Sequence, residues 1–212
     1  MFRKQMCLAL LALAASLVLA NWAAAADPGL VGWWKMDEGS GEVANDSSGN
    51  EHHGALVGDV EWDSGAPDGG NPGGGIRFGG EGACQVDLGT WNPSGPDGSF
   101  SLTFWIKRGD GGANPQHLAA KYAGWNMQSS MWVIELERTT GEWRLNLTGS
   151  NRIIFGILPV DEWIHIAVTY DGSTETATGY HNSELLKSDT YILGAGTDAP
   201  MWLGGYASRA LD

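Results

Sequence analysis

The chain has 212 residues, 42% of them hydrophobic, with 12 Lys and Arg set against 25 Asp and Glu for a formal net charge of −13. So acidic a surface repels nucleic-acid phosphates and anionic membranes, and both are excluded as partners. With 11 tryptophans, 32 glycines and only two cysteines, the composition points to aromatic packing and turns, not to a disulfide scaffold.

The first 26 residues have the make-up of a secretory signal peptide. Arg3 and Lys4 precede an apolar run from Cys7 to Leu19, and Ala24-Ala25-Ala26 offers small residues for cleavage. The run is too short for a membrane span, and Lys-Gln-Met before Cys7 is not a lipid-attachment pattern. The expected mature chain, 27–212, is one domain by length and keeps 10 basic against 25 acidic side chains. It is expected to be secreted, periplasmic or on the cell surface, with no membrane insertion after cleavage. Cys84, its one remaining cysteine, reads as a small buried hydrophobe.

From residue 27 onward no helical period recurs. Strand signals bounded by glycine-rich turns recur instead. They cover 30–37, 54–58, 76–78, 83–88, 100–108, 117–122, 131–138, 143–148, 152–155, 163–171, 176–182 and 201–205. Phe100, Leu102, Phe104 and Ile106 alternate with Ser101, Thr103, Trp105 and Lys107. Trp132, Ile134 and Leu136 alternate with Val133, Glu135 and Glu137, and Trp143, Leu145 and Leu147 with Arg144, Asn146 and Thr148. Period two on successive segments predicts antiparallel sheets with one face on a core. Thr140-Gly141 and Asp171-Gly172 read as hairpin turns, and Asn182-Ser183 as a weaker one.

Between the first two strand signals lies Asn45-Asp-Ser-Ser-Gly-Asn-Glu-His-His-Gly54. Its short oxygen-bearing side chains and glycines could curl around one hard cation, and Ca²⁺ takes six to eight oxygen ligands in irregular geometry. The same composition also makes an ordinary Asx-rich turn. His52 and His53 have no second pair of ligands at a suitable spacing for a transition metal. His165 reads as a structural histidine on a core strand.

Exposed aromatic faces stack on sugar rings, so tryptophans outside the strand cores are candidate ligand platforms. Trp33, Trp132, Trp143, Trp163 and Trp202 fall inside strands and read as core. Trp91, Trp105 and Trp125 remain as the ligand-binding candidates, the competing reading being that each covers a sheet edge or fills a second core layer. Catalysis is not expected. A glucanase-type strand needs carboxylates at alternate positions to flank the scissile bond. Glu135-Leu-Glu137 supplies two, but Thr139 and Thr140 follow, and the pair reads as solvated charges on an outer face. No Gly-x-Ser-x-Gly motif supports a serine nucleophile.

Taken in order, Gly29-Leu-Val-Gly-Trp-Trp-Lys-Met-Asp37, Asn45-Asp-Ser-Ser-Gly-Asn50, Gly54-Ala-Leu56, Gly75-Ile-Arg-Phe78, Phe100–Lys107, Trp163–Gly172 and Pro200-Met-Trp-Leu-Gly204 resemble the laminin-G-like (concanavalin A-like) jelly rolls of bacterial secreted and surface proteins. The resemblance implies an all-β, two-sheet antiparallel β-sandwich, often with one bound calcium, that binds carbohydrate or protein. It implies Asp46 and Asn50 as the calcium ligands. Members of the family continue beyond the Trp-Leu-Gly strand, whereas this chain stops at Asp212, so a missing closing strand, an exposed sheet edge and marginal stability are expected. The expected function is a non-catalytic exported module that binds a polysaccharide or a cell-surface glycan or protein, with calcium support. A structural domain of an envelope protein without sugar affinity, or a glycoside hydrolase of the same fold, are the alternatives.

Overall fold

The computed structural model describes residues 27–63, 65, 74–79, 84–110, 115–148 and 151–205. The expected signal peptide and the segment after the Trp-Leu-Gly strand lie outside the described residues. The chain divides into two units, Met1–Val31 and Gly32–Asp212. In the first, residues 27–31 make a turn in which Leu30 N donates to Asp27 O at 2.9 Å.

In the second unit the described residues form strands and turns, without a helix. An eight-stranded antiparallel sheet has the order β1 (Val43–Ala44), β2 (Gly54–Val57), β5 (Gln85–Asp87), β14 (Met201–Gly204), β7 (Gln116–Lys121), β8 (Trp132–Leu136), β9 (Glu142–Thr148), β10 (Asn151–Ile157). A four-stranded sheet has the order β13 (Glu184–Thr190), β12 (Thr176–His181), β11 (Trp163–Asp171), β6 (Phe100–Lys107), and β3 (Val60–Asp63) pairs with β4 (Gly75–Phe78) in a separate ribbon. This is the expected all-β antiparallel sandwich.

The period-two pattern places the core. On β11, Ile164, Ile166, Val168 and Tyr170 are buried, while their alternates are half-exposed. From the larger sheet Trp132, Ile134, Trp143, Leu145, Leu147, Ile153 and Phe155 join the same core. Phe100 and Trp132 stack across the two sheets with centroids 5.3 Å apart. Each such side chain contributes roughly 1.5–3 kcal/mol by leaving water. Gly179 on β12 lies under Phe155, where a Cβ would fall 2.2 Å from the ring, so only glycine lets the sheets close here.

The turns follow the expected chemistry. Gly141 takes φ +79° and its N donates to Glu137 O at 2.7 Å, closing the β8–β9 hairpin. Asn182 and Ser183 both take positive φ, 47° and 71°, as a two-residue hairpin between β12 and β13 requires. Two readings are corrected. Residues 30–37 do not form a strand: they hold one isolated bridge, Trp34 to Asp46, and Trp33 is 48% exposed instead of core. Trp163, also read as core, is half-buried on the outer face of β11. His165 shares that face, and its Nε2 meets Thr103 Oγ1 at 2.7 Å, as a structural histidine should. Cys84 is buried and unpaired, as expected.

Candidate functional site

The loop from 45 to 54 is built around one carboxylate. Asp46 is buried, and both of its oxygens accept two hydrogen bonds. Oδ1 takes Trp33 N at 2.9 Å and Ser48 N at 2.8 Å. Oδ2 takes Ser48 Oγ at 2.8 Å and His52 N at 3.0 Å. Burial pushes this carboxyl's pKa up, but the bonds from Ser48, Trp33 and His52 outweigh it and hold the group below the ordinary aspartate range. Asn50 turns inward, its N and Nδ2 both donating to Ser48 Oγ at 3.3 and 3.2 Å. Asp46 therefore has no lone pair left for a cation. The donor set does not fit the calcium site expected of Asp46 and Asn50; it fits the Asx-turn alternative. Among the described residues no cluster of three or more His, Cys, Asp or Glu side chains could hold a metal ion. Replacing Asp46 with Asn should cost about 1–2 kcal/mol, because an amide nitrogen then faces two donors. Urea denaturation would measure it.

The structure does not bring the three candidate tryptophans together. Trp91 is half-buried beneath the 45–54 loop, its ring 4.0 Å from that of His52 and 6.2 Å from that of Trp34. Trp105 stands on the outer face of the four-stranded sheet, edge-on to His165 at 5.3 Å. Trp125 is different. It is 46% exposed and meets Tyr122 at 5.1 Å and His117 at 5.9 Å. His117 in turn stacks on Trp202 at 6.0 Å.

Strand register explains this grouping. On β7, β8 and β14, directly paired residues share a face, so His117 lies beside Glu135, and Ala120 beside Val133 and Trp202. All are on the side of the larger sheet opposite Ile134 and Leu145. Glu135 faces Arg144 across β8–β9. The loop that carries Trp125 is tied together by side-chain hydrogen bonds. Ser130 Oγ accepts from Ala123 N and Gly124 N and donates to Gly124 O, and Asn126 Oδ1 accepts from Gln128 N and Ser129 N. A shallow open depression lined by Ala123, Gln128, Ser129, Thr197 and Pro200 flanks it.

Polar atoms lie within this aromatic group. His117 is 1% exposed, and neither ring nitrogen has a partner among the described residues; the same holds for buried Asn146 Oδ1. Burial alone pushes the His117 pKa down to about 4, so the ring is neutral at pH 7. Burial, helped by the nearby Glu135 charge, pushes the Tyr122 phenol up to about 12. Glu135 is not the solvated charge read from the sequence. Its Oε1 accepts from Arg144 Nε at 3.1 Å and from the second Arg144 nitrogen, and its Oε2 accepts from Asn146 Nδ2 at 3.1 Å. Glu137 Oε2 lies 3.5 Å from the same guanidinium. Sequence reading missed His117, whose place depends on a bulge in the β7–β8 pairing between His117 and Ala119.

No curated protein matches the sequence. Among solved structures, the chain is similar to the Trypanosoma rangeli sialidase in complex with 2,3-difluoro-KDN, with 14% identity and a TM-score of 0.62 over 87% of this chain and 28% of that one. The chain thus spans under a third of the sialidase. It is also similar to domain 4 of AbnA, a GH43 extracellular arabinanase from Geobacillus stearothermophilus, in complex with arabinotriose, with 18% identity and a TM-score of 0.55 over 76% of this chain and 78% of that domain. At these identities the likeness is one of fold. The sequence itself matches a family description over residues 78–211, well over half of its length, and by that match the chain belongs to the concanavalin A-like lectin/glucanase superfamily.

Proposed function

We propose that the chain is a non-catalytic, exported carbohydrate-binding module whose ligand seat is the sheet face around Trp125. One observation carries this reading: an exposed indole, on a loop held by its own hydrogen bonds, stands beside an open depression lined by Gln128, Ser129 and Thr197. A sugar offers an apolar ring face for the indole and hydroxyls for the polar side chains of Gln128, Ser129 and Thr197 that line the depression beside it. The arabinotriose-bound domain of the arabinanase, which shares the fold and is of similar length, supports the ligand class.

The carboxylates favour binding over hydrolysis. Both oxygens of Glu135 are engaged by Arg144 and Asn146, which leaves neither facing a glycosidic bond. A glycan array that includes arabino-oligosaccharides and sialylated glycans tests the proposal. Trp125→Ala should weaken the strongest signal at least about tenfold, a loss of roughly 1.4 kcal/mol, while the variant still unfolds in one cooperative transition above the assay temperature. An array silent to the native chain would favour the structural, protein-binding alternative.

A further inference from the structure

We propose that Lys121 takes the place of a bound metal ion in this sandwich, so that its loops are held without a divalent cation. Lys121 ends β7 on the core side, paired with Trp132 and Met201, and is fully buried. Its Nζ reaches Thr90 O at 3.1 Å, Trp91 O at 3.1 Å and Ala199 O at 2.7 Å. Among the described residues no carboxylate lies within 4.0 Å of it. Three backbone carbonyls from two loops, one following β5 and one preceding β14, thus converge on a single positive charge.

That is the donor chemistry of a hard-cation cage, since carbonyl oxygens are calcium ligands. Here the cation is tethered to the chain. An ammonium has three N–H donors and no acceptor, so three carbonyls use it completely; a neutral amine, with two N–H, would leave one carbonyl unpaired. An ion held at calcium–oxygen distances would need the space Nζ fills. The carboxylate of Asp46, the ligand the family resemblance implies, is closed by four donors of the protein itself. The cation expected from the family resemblance therefore has no seat at either place.

The test uses the native chain. After passage over a chelating resin, its melting midpoint should be the same in EDTA and in millimolar calcium, and calorimetric titration with calcium should give no saturable heat. A saturable rise of the midpoint with calcium would overturn the proposal, because a ligand that binds only the folded state must stabilise it. Lys121→Met should melt several degrees lower and gain nothing from added calcium; a variant that melts like the native chain would also overturn the proposal. If that variant does not fold, the titration of the native chain decides alone. Neither readout involves a glycan, so failure here leaves the Trp125 seat standing.

Discussion

Replacing Arg144 with alanine is expected to destabilise the fold by about 3–5 kcal/mol, the usual loss when one partner is removed from a buried ion pair. The side chains of Arg144 and Glu135 are 10% and 2% exposed. With the guanidinium gone, Glu135 keeps only Asn146 Nδ2 at 3.1 Å, and its charge stays in a face it shares with His117, Tyr122 and Trp202. Glu137 loses its contact with the guanidinium as well. Denaturant unfolding at neutral pH would measure the loss. The double variant Glu135→Leu with Arg144→Met should recover much of it, because an apolar pair needs no desolvated charge to be balanced. An Arg144→Ala variant within 1 kcal/mol of the native chain, well short of that range, would show that the pair is open to water. The same pair bears on function. A carboxylate fixed by Arg144 and Asn146 organises the floor of the proposed seat.

Much of the fold was legible because burial follows period two. Ser101, Thr103, Trp105 and Lys107 are all exposed, and Phe100, Leu102, Phe104 and Ile106 are all turned inward, as the alternation of β6 predicts. Strand β13 was illegible for the same reason. Its seven residues, Glu184–Thr190, are exposed without alternation, and only pairing with β12 makes them a strand. Residues 30–37 failed in the opposite direction, since a suitable pattern makes no strand without a partner. At the 45–54 loop the sequence could not choose between calcium and a turn. A carboxylate suits either, and the donors Trp33 N and His52 N are known only once the chain is folded. Lys121 and His117 were illegible because both break the pattern: a charge on the core side of β7, and a polar ring placed by a bulge.

Acidification should weaken the fold by about 3 kcal/mol through His117 alone. Its pKa is lowered from 6.5 to about 4 by burial, and each tenfold loss of proton affinity is worth roughly 1.4 kcal/mol. The native ring is neutral, so below pH 6.5 the unfolded chain takes up a proton that the native chain refuses. The contribution is intact above 6.5 and is lost progressively as pH falls towards 4, where the native ring also titrates. Tyr122, Trp125 and Trp202 face the imidazole with aromatic rings, and Glu135, paired with it across β7–β8, already has its charge matched by Arg144. Other carboxylates titrate in the same range, so the measurement is a difference. Unfolding free energies of the native chain and of His117→Phe, taken at neutral pH and near pH 4, should diverge, with the native chain losing about 3 kcal/mol more. Equal losses would mean that water reaches the ring in the free protein.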